Sequence, residues 1–198
     1  MKENFKVYKN ILSKEMLYIS CRYLLLKKQV LKTLKEENYI SPLSTEWGVF
    51  GDKQIPNIYC CYGDILMEVF LAELLPFLQK KLKKELFPTY SYVRIYEKGS
   101  ILKKHLDRDS CELSTTINLG GDLWPIFLKE KGKTHKIILH PGEMLVYKGC
   151  ILEHWRKKFT GNICYQAFMH YNFLKSDPDK KNLFDKRKHL GLPLDLKQ

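Results

Sequence analysis

Residues 90–121 read YSYVRIYEKGSILKKHLDRDSCELSTTINLGG. An alternating aromatic and β-branched run at 90–96 ends on Lys98-Gly99, and a second run at 113–119 ends on Gly120-Gly121-Asp122. Period-two alternation closed by glycine turns predicts two short strands rather than a helix. Downstream, similar runs at 125–129, 136–139, 144–147 and 163–171 are separated by Lys131-Gly132-Lys133, Pro141-Gly142, Lys148-Gly149 and Thr160-Gly161-Asn162. Many short strands at even spacing imply an antiparallel sandwich or barrel. Upstream the texture differs. Residues 11–37 carry apolar side chains at helical spacing (Leu12, Met16, Leu24, Leu31) with no Pro or Gly. Residues 64–86 read as a second helix, which Pro76 is expected to kink or split. Between them, Pro42, Gly48, Gly51 and Pro56 make 41–57 a loop. Helices first and antiparallel strands after is an α+β layout in which helices brace a sheet. The expected organisation is one domain: a helical region at 1–87, a β core at 88–175 and a basic tail at 176–198 that wraps the surface or stays mobile.

Composition sets the outer bounds. With 198 residues, 44% hydrophobic and 13% aromatic, the chain can bury a core and is too apolar for a disordered protein. No apolar run approaches membrane-spanning length, and residues 1–9 lack the pattern of a secretory signal. A soluble, cytoplasmic chain with no membrane partner is the expectation. The 34 Lys+Arg against 22 Asp+Glu give +12, which admits a nucleic-acid partner. The lysines are scattered over 80–84, 103–104 and 180–188 without a visible stripe, so that partner is the less favoured one. Six cysteines form no CxxC pair, so reduced thiols are expected rather than a zinc site or disulfide framework. Oligomeric state leaves no signature.

The chemistry is concentrated around residue 105. On an extended segment, His105 and Asp107 lie two residues apart on one face. Such a pair is weak by itself, since 22 acids in 198 residues make one accidental match among six histidines common. Its context is stronger: it follows a strand and a glycine turn, and the run Pro141-Gly142-Glu143-Met144-Leu145-Val146-Tyr147 leads toward His154. Two histidines and one carboxylate leave three positions open on an octahedral ion, the donor set of non-haem Fe(II) oxygenases.

On these residues, with Arg94-Ile95-Tyr96-Glu97-Lys98-Gly99, Thr115-Thr116-Ile117-Asn118-Leu119 and His154-Trp155-Arg156, residues 92–171 resemble the double-stranded β-helix (jelly-roll) core of the Fe(II)/2-oxoglutarate-dependent oxygenases, closest to the prolyl-hydroxylase-like branch. The resemblance implies Fe(II) held by His105, Asp107 and His154, 2-oxoglutarate chelating the same ion, and ascorbate as an accessory reductant. It implies hydroxylation of a C–H bond in a peptidyl (prolyl-like) or amino-acid substrate, with protein, peptide or small molecule as partner. A nucleic-acid-directed oxygenase of the same fold and a non-enzymatic jelly-roll binding module are the alternatives. The family places a base about ten residues beyond the distal histidine, where this chain reads Ile163-Cys164-Tyr165-Gln166. Arg156, of the same strand parity as His154, is the first candidate for the far carboxylate of 2-oxoglutarate, the alternative being an ion pair with Glu153. Arg94 is the second candidate. Tyr96, Thr116 and Asn118 are the expected accessory contacts. His170, on the face of Cys164 and Gln166, is placed to line a pocket; His140 reads as a turn residue, Trp124 and Trp155 as core or substrate mouth.

Overall fold

The computed structural model of the chain describes residues 4–193. Its elements in order are β1 (Phe5–Tyr8), α1 (Lys14–Glu36), β2 (Val49–Phe50), β3 (Tyr59–Tyr62), α2 (Ile65–Leu82), β4 (Leu86–Glu97), β5 (Leu102–His105), β6 (Leu113–Gly121), β7 (Ile126–Glu130), β8 (Lys133–Ile137), β9 (Met144–Tyr147), β10 (Glu153–Arg156) and β11 (Ile163–Phe173). The strands form two antiparallel sheets: seven strands in the order β1-β9-β6-β11-β4-β3-β2, and four in the order β5-β10-β7-β8. This is the jelly-roll, α+β architecture expected.

Both helices begin on a side-chain cap. Ser13 accepts from the Met16 amide at 3.3 Å, and Asp64 accepts from the Met67 amide at 3.2 Å. Each cap satisfies one of the amides a helix start leaves bare. Asp64 also receives the Tyr23 hydroxyl at 2.8 Å and the Lys27 ammonium at 2.6 Å, which fastens α1 to the start of α2. α2 continues through Pro76 without a break, contrary to the expected split. Its face Leu71, Leu74, Leu78 and Leu82 is buried, and packing of this order, about 1.5–3 kcal/mol per buried side chain, outweighs the one hydrogen bond Pro76 cannot make.

Strand alternation then sorts the large sheet. Val93, Ile95, Leu113, Ile117, Ala167 and Met169 face the helices and form the main core with Leu24, Leu31, Met67 and Leu71. The opposite parity, namely Tyr92, Arg94 and Tyr96 on β4, Ser114, Thr116 and Asn118 on β6, and Gln166, Phe168 and His170 on β11, turns inward between the sheets. All six cysteines are free thiols, four of them buried, and titration of the unfolded, unreduced protein should count six.

Residues 177–193 pack back on the domain, while 194–198 lie outside the described residues. Arg187 donates to Glu68 at 2.6 Å in a fully buried ion pair and to the Leu192 carbonyl at 2.6 Å. Asp185 accepts from both terminal nitrogens of Arg108, at 3.1 and 2.6 Å, and from the Tyr62 hydroxyl at 2.5 Å. Phe184, Asp185 and Lys186 all have left-handed φ values of 50°, 56° and 66°, a costly run that persists because these contacts over-determine it.

Candidate metal centre

His105 ends β5 and His154 lies on β10, and the two are direct partners in the β5–β10 ladder. Their rings approach to 4.2 Å between centroids. Asp107 lies two residues further on, in the loop after β5, with its amide donating to the Gly149 carbonyl at 3.0 Å. Asp107 Oδ1 stands 3.6 Å from His105 Nε2 and 3.4 Å from His154 Nε2. The three ligating atoms lie within 4.8 Å of one another, a spacing that a single divalent ion fills.

The tautomers suit that ion. His105 Nδ1 is 2.9 Å from the Lys103 carbonyl and His154 Nδ1 is 2.9 Å from the Leu152 carbonyl. A carbonyl only accepts, so each Nδ1 carries the proton and each Nε2 presents a lone pair toward Asp107. Burial and the neighbouring His154 ring lower the pKa of His105, which favours its neutral, ligating form. Burial alone would raise the carboxyl of Asp107, but His154, His170 and the Ser114 hydrogen bond together hold it well below the usual carboxylate range.

Sequence reasoning missed the groups that aim the carboxylate. Ser114 donates to Asp107 Oδ2 at 2.6 Å, and its oxygen sits 3.1 Å from His170 Nδ1, which donates to it. That leaves Oδ1 as the free, metal-facing oxygen. Burial pushes His170 down to about 4, so it stays neutral as a Ser114 partner. Gly149 closes the other side: a Cβ there would collide with Asp107 Oδ2, Ser114 Oγ and the Cys111 carbonyl. Outer-shell partners of this kind are worth about 10–100-fold in metal affinity. Ser114→Ala is therefore expected to weaken Mn(II) binding about tenfold in a calorimetric titration, with the fold unchanged.

The triad lines a cleft of about 420 Å³ between the sheets, walled on its other sides by Tyr62, Tyr90, Tyr92, Arg94, Phe168 and His170. Tyr62 stacks on Tyr90 at 5.0 Å, and Tyr90 meets His170 at 4.5 Å. Two arginines reach this wall and both are neutralised. Arg94 donates to Asp52 from Nε at 3.0 Å and from Nη2 at 2.5 Å, and to Gln54 at 2.6 Å. Arg108 lies 4.4 Å over the Tyr90 ring and is held by Asp185.

Arg156 is different. It points inward with His154, is 1% exposed, and among the described residues no carboxylate lies within ion-pair distance. Glu153, expected as an alternative partner, faces the other way and pairs with Lys104 at 3.6 Å. Arg156 donates to the Trp124 carbonyl and, at 3.2 Å, to Gln166 Oε1, while its Nε has no partner. Burial lowers its pKa, as expected for a guanidinium without a counter-ion. Thr116 donates to the same Gln166 oxygen at 3.1 Å, and the Tyr96 hydroxyl accepts from Arg94 at 3.3 Å. Asn118 is spent elsewhere: its amide nitrogen donates to the Leu139 carbonyl at 2.7 Å and its oxygen accepts from the Gly120 amide at 2.9 Å. Both bonds tie its side chain to backbone, at residue 139 and at residue 120. Trp124 is buried as expected, but Trp155 stands on the outer face of the small sheet.

No family model matches the chain, and no curated protein sequence does. Solved structures do match. A prolyl hydroxylase from Trichoplax adhaerens, in complex with a hypoxia inducible factor oxygen degradation domain peptide fragment, superposes with a TM-score of 0.63 at 15% identity, covering 90% of this chain and 87% of that one. The viral collagen prolyl hydroxylase from Paramecium Bursaria Chlorella virus-1, as its 2OG complex, gives 0.60 at 11% identity over 85% and 96%. HygX from Streptomyces hygroscopicus, with nickel, 2-oxoglutarate and hygromycin B bound, gives 0.56 at 11% identity over 85% and 82%. The chain shares its fold with the 2OG-Fe(II) oxygenases, prolyl hydroxylases among them.

Proposed function

We propose that the protein is an Fe(II)- and 2-oxoglutarate-dependent dioxygenase that hydroxylates a C–H bond. The observation that carries this reading is the convergence of two neutral Nε2 atoms and one oriented carboxylate oxygen on a single point at the floor of a cleft. His105, Asp107 and His154 would hold the iron. The cosubstrate would bring a second carboxylate, and a buried carboxylate needs a cation or several donors. Arg156, charged and without an acid partner, fits that requirement, with Thr116 and Gln166 beside it. Bound together, the iron and 2-oxoglutarate supply the oxidising power for O2-dependent attack on a C–H bond. The protein's part is to fix the ligand geometry, keep water out with the aromatic walls and aim the substrate.

The walls also favour a class of substrate. With Arg94 paired to Asp52 and Arg108 paired to Asp185, the cleft offers aromatic faces and little net charge. A neutral alicyclic group such as a prolyl ring packs well on Tyr62, Tyr90 and Phe168, which supports a peptidyl substrate over a charged metabolite. Incubation with Fe(II), ascorbate and 2-oxoglutarate should form succinate, faster when a proline-containing peptide is added, and Asp107→Ala should form none. If the wild-type protein forms no succinate with any peptide and its Mn(II) form does not bind 2-oxoglutarate, the non-enzymatic binding module replaces this reading.

A further inference from the structure

The small sheet has a second face, turned away from the cleft. Ladder register places His105, His154, Leu128 and His135 side by side in one inward row. The neighbouring rows therefore face outward: Trp155, Phe127 and Lys136 in one, and Glu153, Lys129 and Thr134 in the next. Trp155 and Phe127 lie stacked and nearly parallel, 5.6 Å apart with 14° between their planes. Both rings are half-buried and keep part of their surface open to solvent, whereas the outward row of a solvated sheet is ordinarily polar. Lysines surround them. Lys104 Nζ stands 4.5 Å over the Trp155 ring and Lys157 Nζ 5.3 Å over the Phe127 ring, while Lys129 and Lys136 project from the adjoining register positions, and all four are exposed. Glu153 is the one carboxylate in these two rows, and it is paired with Lys104. Lysines far apart in sequence are thus collected by strand pairing around an aromatic pair.

We propose that this face is a binding platform for single-stranded nucleic acid, in which Trp155 and Phe127 stack bases and Lys104, Lys129, Lys136 and Lys157 meet phosphates. The argument is one of complementarity. A stacked aromatic pair overlaid by Lys104 and Lys157 matches a ligand that alternates π-faces with negative charges, the exposed lysines swinging to phosphates as bases take the ring faces, and an unpaired strand is such a ligand. A duplex presents the charge but hides the base faces, and an acidic peptide has the charge without them. The platform shares its strands with the metal centre, since Trp155 follows His154 and Lys104 precedes His105. Its existence does not depend on the reaction proposed for the cleft.

Fluorescence anisotropy with a labelled oligouridylate of about ten nucleotides, within the usual site size for such surfaces, tests it on the metal-free 198-residue chain. Binding should weaken with salt at a logarithmic slope of about −3, the value for four phosphate contacts on a single strand. Trp155→Ala and Phe127→Ala should each cost about tenfold in affinity and leave the salt slope in place. Lys129→Gln and Lys136→Gln, at exposed positions where folding is not at stake, should each reduce the slope by roughly one. Lys80→Gln and Lys81→Gln, on the distant end of α2, should change nothing. The proposal is overturned if a duplex of the same length binds as well as the single strand. It is also overturned if the α2 variants weaken binding as much as the platform variants, which would mean attraction to net charge alone. Competition by polyglutamate at equal charge would assign the face to an acidic protein instead.

Discussion

Asp107→Ala is expected to abolish binding of Mn(II) at micromolar metal, read as the unaltered electron paramagnetic resonance signal of free Mn(II) in the presence of protein. Asp107 is the only anionic member of the triad, and both histidines reach the ion as neutral imidazoles. Losing an outer-shell partner costs about 10–100-fold, so losing the carboxylate itself should cost more than a hundredfold. Unchanged Mn(II) affinity would remove these residues from the assignment. The pH dependence has a definite sign. A lowered pKa for His105 keeps the ring neutral to more acid solution than an ordinary histidine, and Asp107 stays ionised throughout the neutral range. The His105 ligand should therefore be lost to protonation only in more acid solution than an ordinary histidine would be, so a His105→Asn variant and wild type should differ least at the acid end of a Mn(II) titration series.

Arg156→Met should separate a binding role from a structural one. A hydrogen bond to a charged group contributes about 1.5–3 kcal/mol, so the variant should bind 2-oxoglutarate at least tenfold more weakly while its Mn(II) affinity stays near wild type. Stability should move the other way. The wild-type guanidinium is buried, lacks a counter-ion and leaves Nε unsatisfied, and replacing such a group by an apolar one of similar length is neutral or stabilising. A thermal midpoint equal to or above wild type without cosubstrate, with no further rise on adding 2-oxoglutarate, is the expected signature. Arg156→Lys should recover part of the loss, since an ammonium cannot reproduce the planar fork. If 2-oxoglutarate affinity is unchanged, the role passes to Arg94, which would have to share itself with Asp52 and Gln54. If Arg94→Ala is silent as well, 2-oxoglutarate is not the cosubstrate.

What the sequence made legible was local. The run 144–147 is β9 to the residue, and 163–171 is β11 short by two. The His105/Asp107 pair and His154 could be found because strand parity and glycine turns are written in adjacent residues. Interactions between distant segments left no such trace. β1, a four-residue edge strand, is specified by its partner at 144–147, and β3 is a short YCCY that no periodicity distinguishes from loop. Asp52 sat in a segment readable only as loop, yet it neutralises Arg94. Ser114 and Gly149 carry no motif, and their meaning comes from the carboxylate that the fold brings against them. The tail read as surface because its charges are dense, whereas Arg187 is buried on Glu68.

The central position of β11 has a consequence for how the molecule is made. β11 is the last strand among the described residues, and it joins β4 on one side to β6 on the other. Until residues 163–173 are available, the seven-stranded sheet is divided into β4-β3-β2 and β6-β9-β1, each with a row of unpaired backbone N–H and C=O groups along one edge. Synthesis therefore cannot bank a finished core as it proceeds, and a chain ended before residue 163 presents two sticky templates for self-association. The same geometry makes the turn at 160–162 the natural point of division: a peptide carrying β11, supplied separately, has a slot of its own shape waiting between two ready-made edges.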